Sequence, residues 1–150
     1  MNDFFNGDGH KLSLIIKKDS NCNSKTMLKD IDNVFPPSKT PIYNILYVYY
    51  LVKKNFKYPA NTSNVLYIGC TKSELNKGLY YVSFRFKHLR NGEDKKQNIT
   101  LSYYYERNEE IGLDIFVVEN CIKVENKLRF SFLKKFCSLP IADGCSYRKN

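Results

Sequence analysis

Apolar residues along this chain occur either as short continuous runs or at helical intervals, and the two patterns alternate. "LSLII" (Leu12 to Ile16) is a brief apolar piece between polar, Asn-rich stretches, readable as a short strand or an arm. Ser24 follows as a helix cap, with Met27, Leu28, Ile31, Val34 and Phe35 at helical spacing and Pro36-Pro37 as the stop. "TPIYNILYVYYLV" (Thr40 to Val52) is rich in β-branched and aromatic residues and too continuous for an exposed strand, so it predicts a buried central strand. The polar stretch 53–63 leads into "NVLYIG", and the two runs form an antiparallel hairpin most simply. Leu79, Val82, Phe86 and Leu89 then mark a helix that Asn91-Gly92 closes, with Tyr81, Arg85 and His88 on a neighbouring face. Residues 93–110 read as an excursion containing a short strand at Ile99–Tyr105. "GLDIFVVEN" predicts a third core strand, and Leu128, Phe132 and Phe136 mark a final helix from about Val124 to Phe136.

This order predicts an α/β (α+β) domain: a small three-stranded, mainly antiparallel sheet flanked by helices, carrying an N-terminal extension. Residues 1–40 form the arm and short helix, and residues 41–150 form the core of what is a single domain at this length.

Composition refines the picture in four respects. Twelve tyrosines and ten phenylalanines supply the bulk, with no tryptophan, and 43% hydrophobic against 26% charged residues is a globular balance. No run approaches the roughly 18 apolar residues of a membrane span, and the N-terminus lacks the pattern of a secretory signal, so an intracellular, cytoplasmic protein is expected. Five cysteines without a Cys-x-x-Cys pair, and only two histidines, argue against structural zinc and for reduced thiols. The net charge of +9 is spread along the chain and favours a polyanionic partner such as nucleic acid, against the plainer reading of a basic soluble domain.

The stretch "SNVLYIGCTKSE" (Ser63 to Glu74) raises a sharper question, because a buried strand halts on a tyrosine beside a glycine with Lys72 close behind. Either this is a hairpin ending in a polar turn, or the strand end offers a phenol and an unobstructed backbone to a ligand. Glu125 adds a second oddity: it sits three residues before Leu128, on the same apolar stripe. Burial there costs several kcal/mol unless a cation or hydrogen bonds satisfy the carboxylate.

Taken in order, "ILY" (Ile45 to Tyr47), "LYIG" (Leu66 to Gly69), "RFKHL" (Arg85 to Leu89) and "ENKLRFSFLKKFCSLPIAD" (Glu125 to Asp143) resemble the GIY-YIG nuclease family, over about residues 41–143. "PIY" (Pro41 to Tyr43) competes for the first tyrosine, the strand pattern favouring Tyr47. The resemblance implies a divalent-metal-dependent DNA endonuclease, most like the compact restriction enzymes of the family. In it Tyr47, Tyr67, Arg85, His88 and Glu125 are catalytic, Glu125 anchors Mg2+ or Mn2+, and Gly69, Lys72, Lys87 and Arg90 meet the double-stranded DNA. Asp143 stands where the family places an asparagine. Magnesium keeps most of its waters and accepts one or two carboxylates, so one buried glutamate suffices, while the guanidinium of Arg85 matches a phosphate. On this reading the Tyr67 hydroxyl points towards Arg85 and Glu125, Tyr47 reaches the same cleft, and double-strand cutting calls for a homodimer or two nicks. The alternatives are a non-catalytic nucleic-acid-binding module of the same fold, a repair or mobile-element nuclease, or an interaction protein whose charge is incidental. Taken singly, each of these residues is more often structural: tyrosines pack in cores, and lysines sit on surfaces.

Overall fold

The structure, a computed structural model, describes residues 4–5, 11–18, 29, 33, 43–73 and 96–143. Among the described residues eight elements follow one another: β1 (Lys11–Ile16), β2 (Tyr43–Leu51), β3 (Phe56–Lys57), β4 (Thr62–Ser63), β5 (Val65–Ser73), α1 (Lys96–Glu106), β6 (Ile111–Val118) and α2 (Cys121–Phe136). The architecture is α+β. Four strands form one antiparallel sheet in the order β1-β6-β2-β5, and β3 and β4 make a separate two-stranded ribbon within the β2–β5 connection.

The long apolar run 43–51 is central because helices cover the sheet on both faces, leaving no position where a polar residue would gain by alternation. On one face Ile45, Tyr47, Tyr49 and Leu51 pack with Tyr67, Leu113, Ile115 and, from α1, Leu101 and Tyr105. On the other, Leu46, Val48, Ile68 and Phe116 pack against Phe132 and Phe136 of α2. The β2–β5 register shifts between Tyr49, opposite Tyr67, and Tyr50, opposite Val65, so Leu66 has no residue across from it on β2. Leu66 instead presents its carbonyl to Ala142 N at 2.9 Å, which ties the segment after α2 to the outer edge of β5.

Several sequence expectations change. The sheet has four strands rather than three, because "LSLII" of the arm pairs with β6 far along the chain, Leu14 standing opposite Leu113. The strand expected at Ile99–Tyr105 is instead helix α1. The consecutive tyrosines suggested β structure, but burial falls on Asn98, Leu101 and Tyr105, at i, i+3 and i+7. Helix α2 starts at Cys121, where the Asn120 side chain accepts from Lys123 N at 3.1 Å and caps the first turn. The strand does not halt at "YIG" either, since β5 continues to Ser73. The helices expected over 24–35 (save residues 29 and 33) and over 79–89 lie outside the described residues. Among the described residues no helix is long and apolar enough to cross a membrane.

Candidate functional site

Register and side-chain alternation place Tyr47, Tyr49 and Tyr67 together on the α1 face. The ring centroids of Tyr47 and Tyr67 are 6.1 Å apart, so the two tyrosines singled out from sequence do meet. Tyr47 stands opposite Gly69 in register, and a Cβ on Gly69 would lie 2.6 Å from its Cζ. The bare backbone at Gly69 therefore receives the Tyr47 ring, and the close approach assigned from sequence to DNA is made by a core side chain. Lys72 is exposed near the end of β5, opposite Asn44. Tyr43 opens β2 opposite Ser73.

Glu125 belongs to the other face. Cys70 is the register partner of Leu46, and its thiol donates to Glu125 Oε2 at 2.8 Å. Burial, and then this carboxylate, push the Cys70 thiol well above the ordinary thiol range, with Cys121 adding to the shift. Because α2 begins at Cys121, Glu125 lies in its second turn, and what holds it is Cys70 together with Arg129, whose Nη1 is 3.9 Å from Oε1. Arg129 also donates to Asp143 Oδ1 at 2.9 Å, so one guanidinium spans two carboxylates of low exposure. The spacing of Glu125 and Arg129, i and i+4, was open to reading in the sequence.

Tyr67 and Glu125 thus lie on opposite sides of the sheet, and the described residues do not form one centre containing both. Arg85, Lys87, His88 and Arg90 lie outside the described residues. A divalent cation does not fit Glu125 as placed, since its oxygens engage a thiol and a guanidinium. Among the described residues no group of three or more His, Cys, Asp or Glu is placed to hold a metal ion.

The distribution of paired and unpaired cations is the clearest electrostatic feature. Lys17 and Lys53 pair with Glu110 at 3.5 and 3.0 Å, Lys18 with Glu106 at 2.6 Å, and Lys54 with Glu109, so acids neutralise this pole. Along α2 the reverse holds. Lys123, Lys127, Lys134 and Lys135 are exposed and have no acid partner among the described residues, while Glu125, the helix's one acid, turns inward. Phe130, 49% exposed, lies among them with Lys134 Nζ 4.6 Å from its ring centroid.

At the C-terminal end of α2 a cleft of about 450 Å3 opens between the β3–β4 ribbon, the start of α1 and the segment 138–143. Lys57 and Lys96 line it, as do Phe56, Tyr58 and Asp143. Tyr58 fixes the wall: its hydroxyl donates to Val65 O at 2.8 Å and accepts from Ile141 N at 3.1 Å. Sequence reasoning did not single out Arg129, Lys123, Lys127 or this cleft, whose parts come from three distant stretches of chain. Compared with protein-family models, curated proteins and solved structures, the chain matches none of them, so the GIY-YIG resemblance rests on the quoted residues alone.

Proposed function

We propose that this protein binds nucleic acid through the outer face of α2, as a non-catalytic module. The observation that carries this reading is the row of lysines without acid partners among the described residues, Lys123, Lys127 and Lys134, around the exposed ring of Phe130. Lysines that neutralise phosphates release counterions, and an exposed ring beside them offers a stacking surface. A merely solvated basic helix would gain from interspersed glutamates at i, i+4, which α2 lacks on this face. The row from Lys123 to Lys134 covers about 16 Å at 1.5 Å per residue, near the length of five nucleotides of one strand.

A metal-dependent DNA endonuclease is the second reading. It rests on the sequence resemblance: the rings of Tyr47 and Tyr67 adjoin, but they are buried on the face of the sheet opposite Glu125. One experiment separates the two readings: the full chain is mixed with labelled duplex, labelled single strand and supercoiled plasmid, with Mg2+, Mn2+ or EDTA. Binding without nicking is the expected result. Metal-dependent nicking would install the nuclease reading, and absence of any retarded complex would remove both.

A further inference from the structure

We propose that the cleft at the end of α2 is a nucleotide pocket, taking a nucleoside monophosphate unit with its phosphate on Lys57 and Lys96. The choice of nucleotide as the ligand rests on the nucleic-acid reading above; the polarity of the cleft does not. Its volume of about 450 Å3 lies within the usual range for small-molecule sites. Its charge is two-sided. Lys57 and Lys96 have no ion-pair partner among the described residues, whereas the lysines of the neighbouring pole do. Asp143, which also lines the cleft, is 5% exposed and stays engaged through Arg129.

An anion alone would meet the lysines but also the carboxylate, so simple phosphate suits only part of the cleft. A ligand with a phosphate at one end and hydrogen-bond donors at the other suits all of it. A nucleotide has that shape: sugar hydroxyls or an exocyclic amine can donate towards Asp143 while the phosphate rests between the ammonium groups. Phe56 is half-buried, its edge-on contacts with Tyr58 and Tyr104 at 6.3 and 5.5 Å fixing the ring for a base to lie against. Position adds to chemistry. Lys134 is in the last turn of α2 and Ser138 already lines the cleft, so a strand following the lysine row arrives at the opening.

The test is calorimetric titration of the full chain with the four deoxynucleoside monophosphates, the four ribonucleoside monophosphates, inorganic phosphate and a five-nucleotide single strand. Lys57→Ala/Lys96→Ala is the site variant, with both changes on exposed residues, and Lys123→Ala/Lys127→Ala is the control. At least one monophosphate should bind, inorganic phosphate at least tenfold more weakly. The site variant should lower monophosphate affinity tenfold or more, with an unchanged melting temperature, and the α2 control should leave it within twofold. A five-nucleotide strand that binds tighter than the monophosphate, and loses that advantage in the α2 control, identifies a strand end as the source. Equal affinity of the two identifies a free nucleotide. Absence of monophosphate binding, or equal binding by the site variant, overturns the pocket even if duplex and strand still bind. Intact monophosphate binding without any strand or duplex binding overturns the nucleic-acid reading and leaves the pocket standing.

Discussion

Tyr47 on β2 lies across Gly69 on β5, its ring filling the volume that a side chain at that position would need: a Cβ there would stand 2.6 Å from Cζ and 2.7 Å from Cε2 and Oη. The same device recurs on the other face, where the Tyr50 ring covers Gly112 on β6. Both glycines are cross-strand partners of tyrosines, and both are required by the ring rather than by the backbone. Tyr47 is 2% exposed and packed against Tyr49 and Tyr67, so it cannot swing away without disturbing that cluster.

Gly69→Ala is therefore expected to cost about 1–3 kcal/mol, the range for overpacking a filled core. Urea unfolding followed by tyrosine fluorescence measures it. Tyr47→Leu in the same chain should recover part of the loss, because it removes the atoms that collide. A glycine reserved for ligand approach would instead accept alanine with unchanged stability.

The legible part of this fold is the part written in continuous apolar runs. "ILYVYYL" and "LDIFVV" announce buried strands because both faces of the sheet are covered, and the hairpin follows from the proximity of "ILYVYYL" to "VLYIG" in sequence. The pairing of β1 with β6 was illegible, since nothing local in "KLSLII" names a partner so far along the chain. Helix α1 was obscured by Tyr103, Tyr104 and Tyr105, three β-formers in a row of which only the last is buried. Glu125 shows the boundary well. Its place on an inward stripe was readable, but that a strand cysteine and Arg129 would meet it required the register of β5 and the true start of α2.

Asp114 illustrates a charge hidden inside an apolar run, fully buried and held by Ser13 Oγ at 2.6 Å, Tyr50 Oη at 3.3 Å and Lys11 Nζ at 3.4 Å. Burial, then the Asp114 charge, then the hydrogen bond to it push the Tyr50 phenol well above the ordinary tyrosine range, as Cys70 is pushed above that of thiols. Both groups bind their proton more tightly in the folded chain than in the unfolded one. The stability they contribute is intact below about pH 9 and is lost as pH rises through the range where the unfolded groups ionise. Melting temperature should accordingly fall from about pH 9 upwards. Tyr50→Phe should cost about 1 kcal/mol at pH 7 and make that alkaline decline shallower. An identical alkaline slope in the variant would show that Tyr50 does not drive it.

Arg129 holds Glu125 and Asp143 together from 17% exposure. Arg129→Met keeps the stem but removes the cation that the two weakly exposed carboxylates share. The expected cost is about 2–3 kcal/mol, below that of a fully buried pair because solvent reaches this one. Adding Asp143→Asn should recover part of it, so the two changes will not be additive in urea unfolding. Strict additivity would mean that the ion pair contributes nothing.

The lysine row on α2 makes a prediction that distinguishes phosphate contact from general basicity. If Lys123, Lys127 and Lys134 each neutralise a phosphate of a bound duplex, the plot of log affinity against log salt has a slope of about −0.9 per contact. Replacing any one by alanine should weaken binding similarly for unrelated sequences and make the slope shallower by about 1. Lys53→Ala and Lys54→Ala serve as controls. They remove the same charge from the acid-paired pole, where Glu110 and Glu109 already neutralise it. Long-range attraction alone would make all five variants alike at low salt, since beyond about 10 Å at 0.1 M only screened net charge is felt. Fluorescence anisotropy with a labelled duplex between 50 and 300 mM salt (roughly the span over which such slopes are read) separates the cases. A shallower slope confined to the α2 variants places the backbone on that helix, whereas five equal slopes would leave α2 a solvated surface.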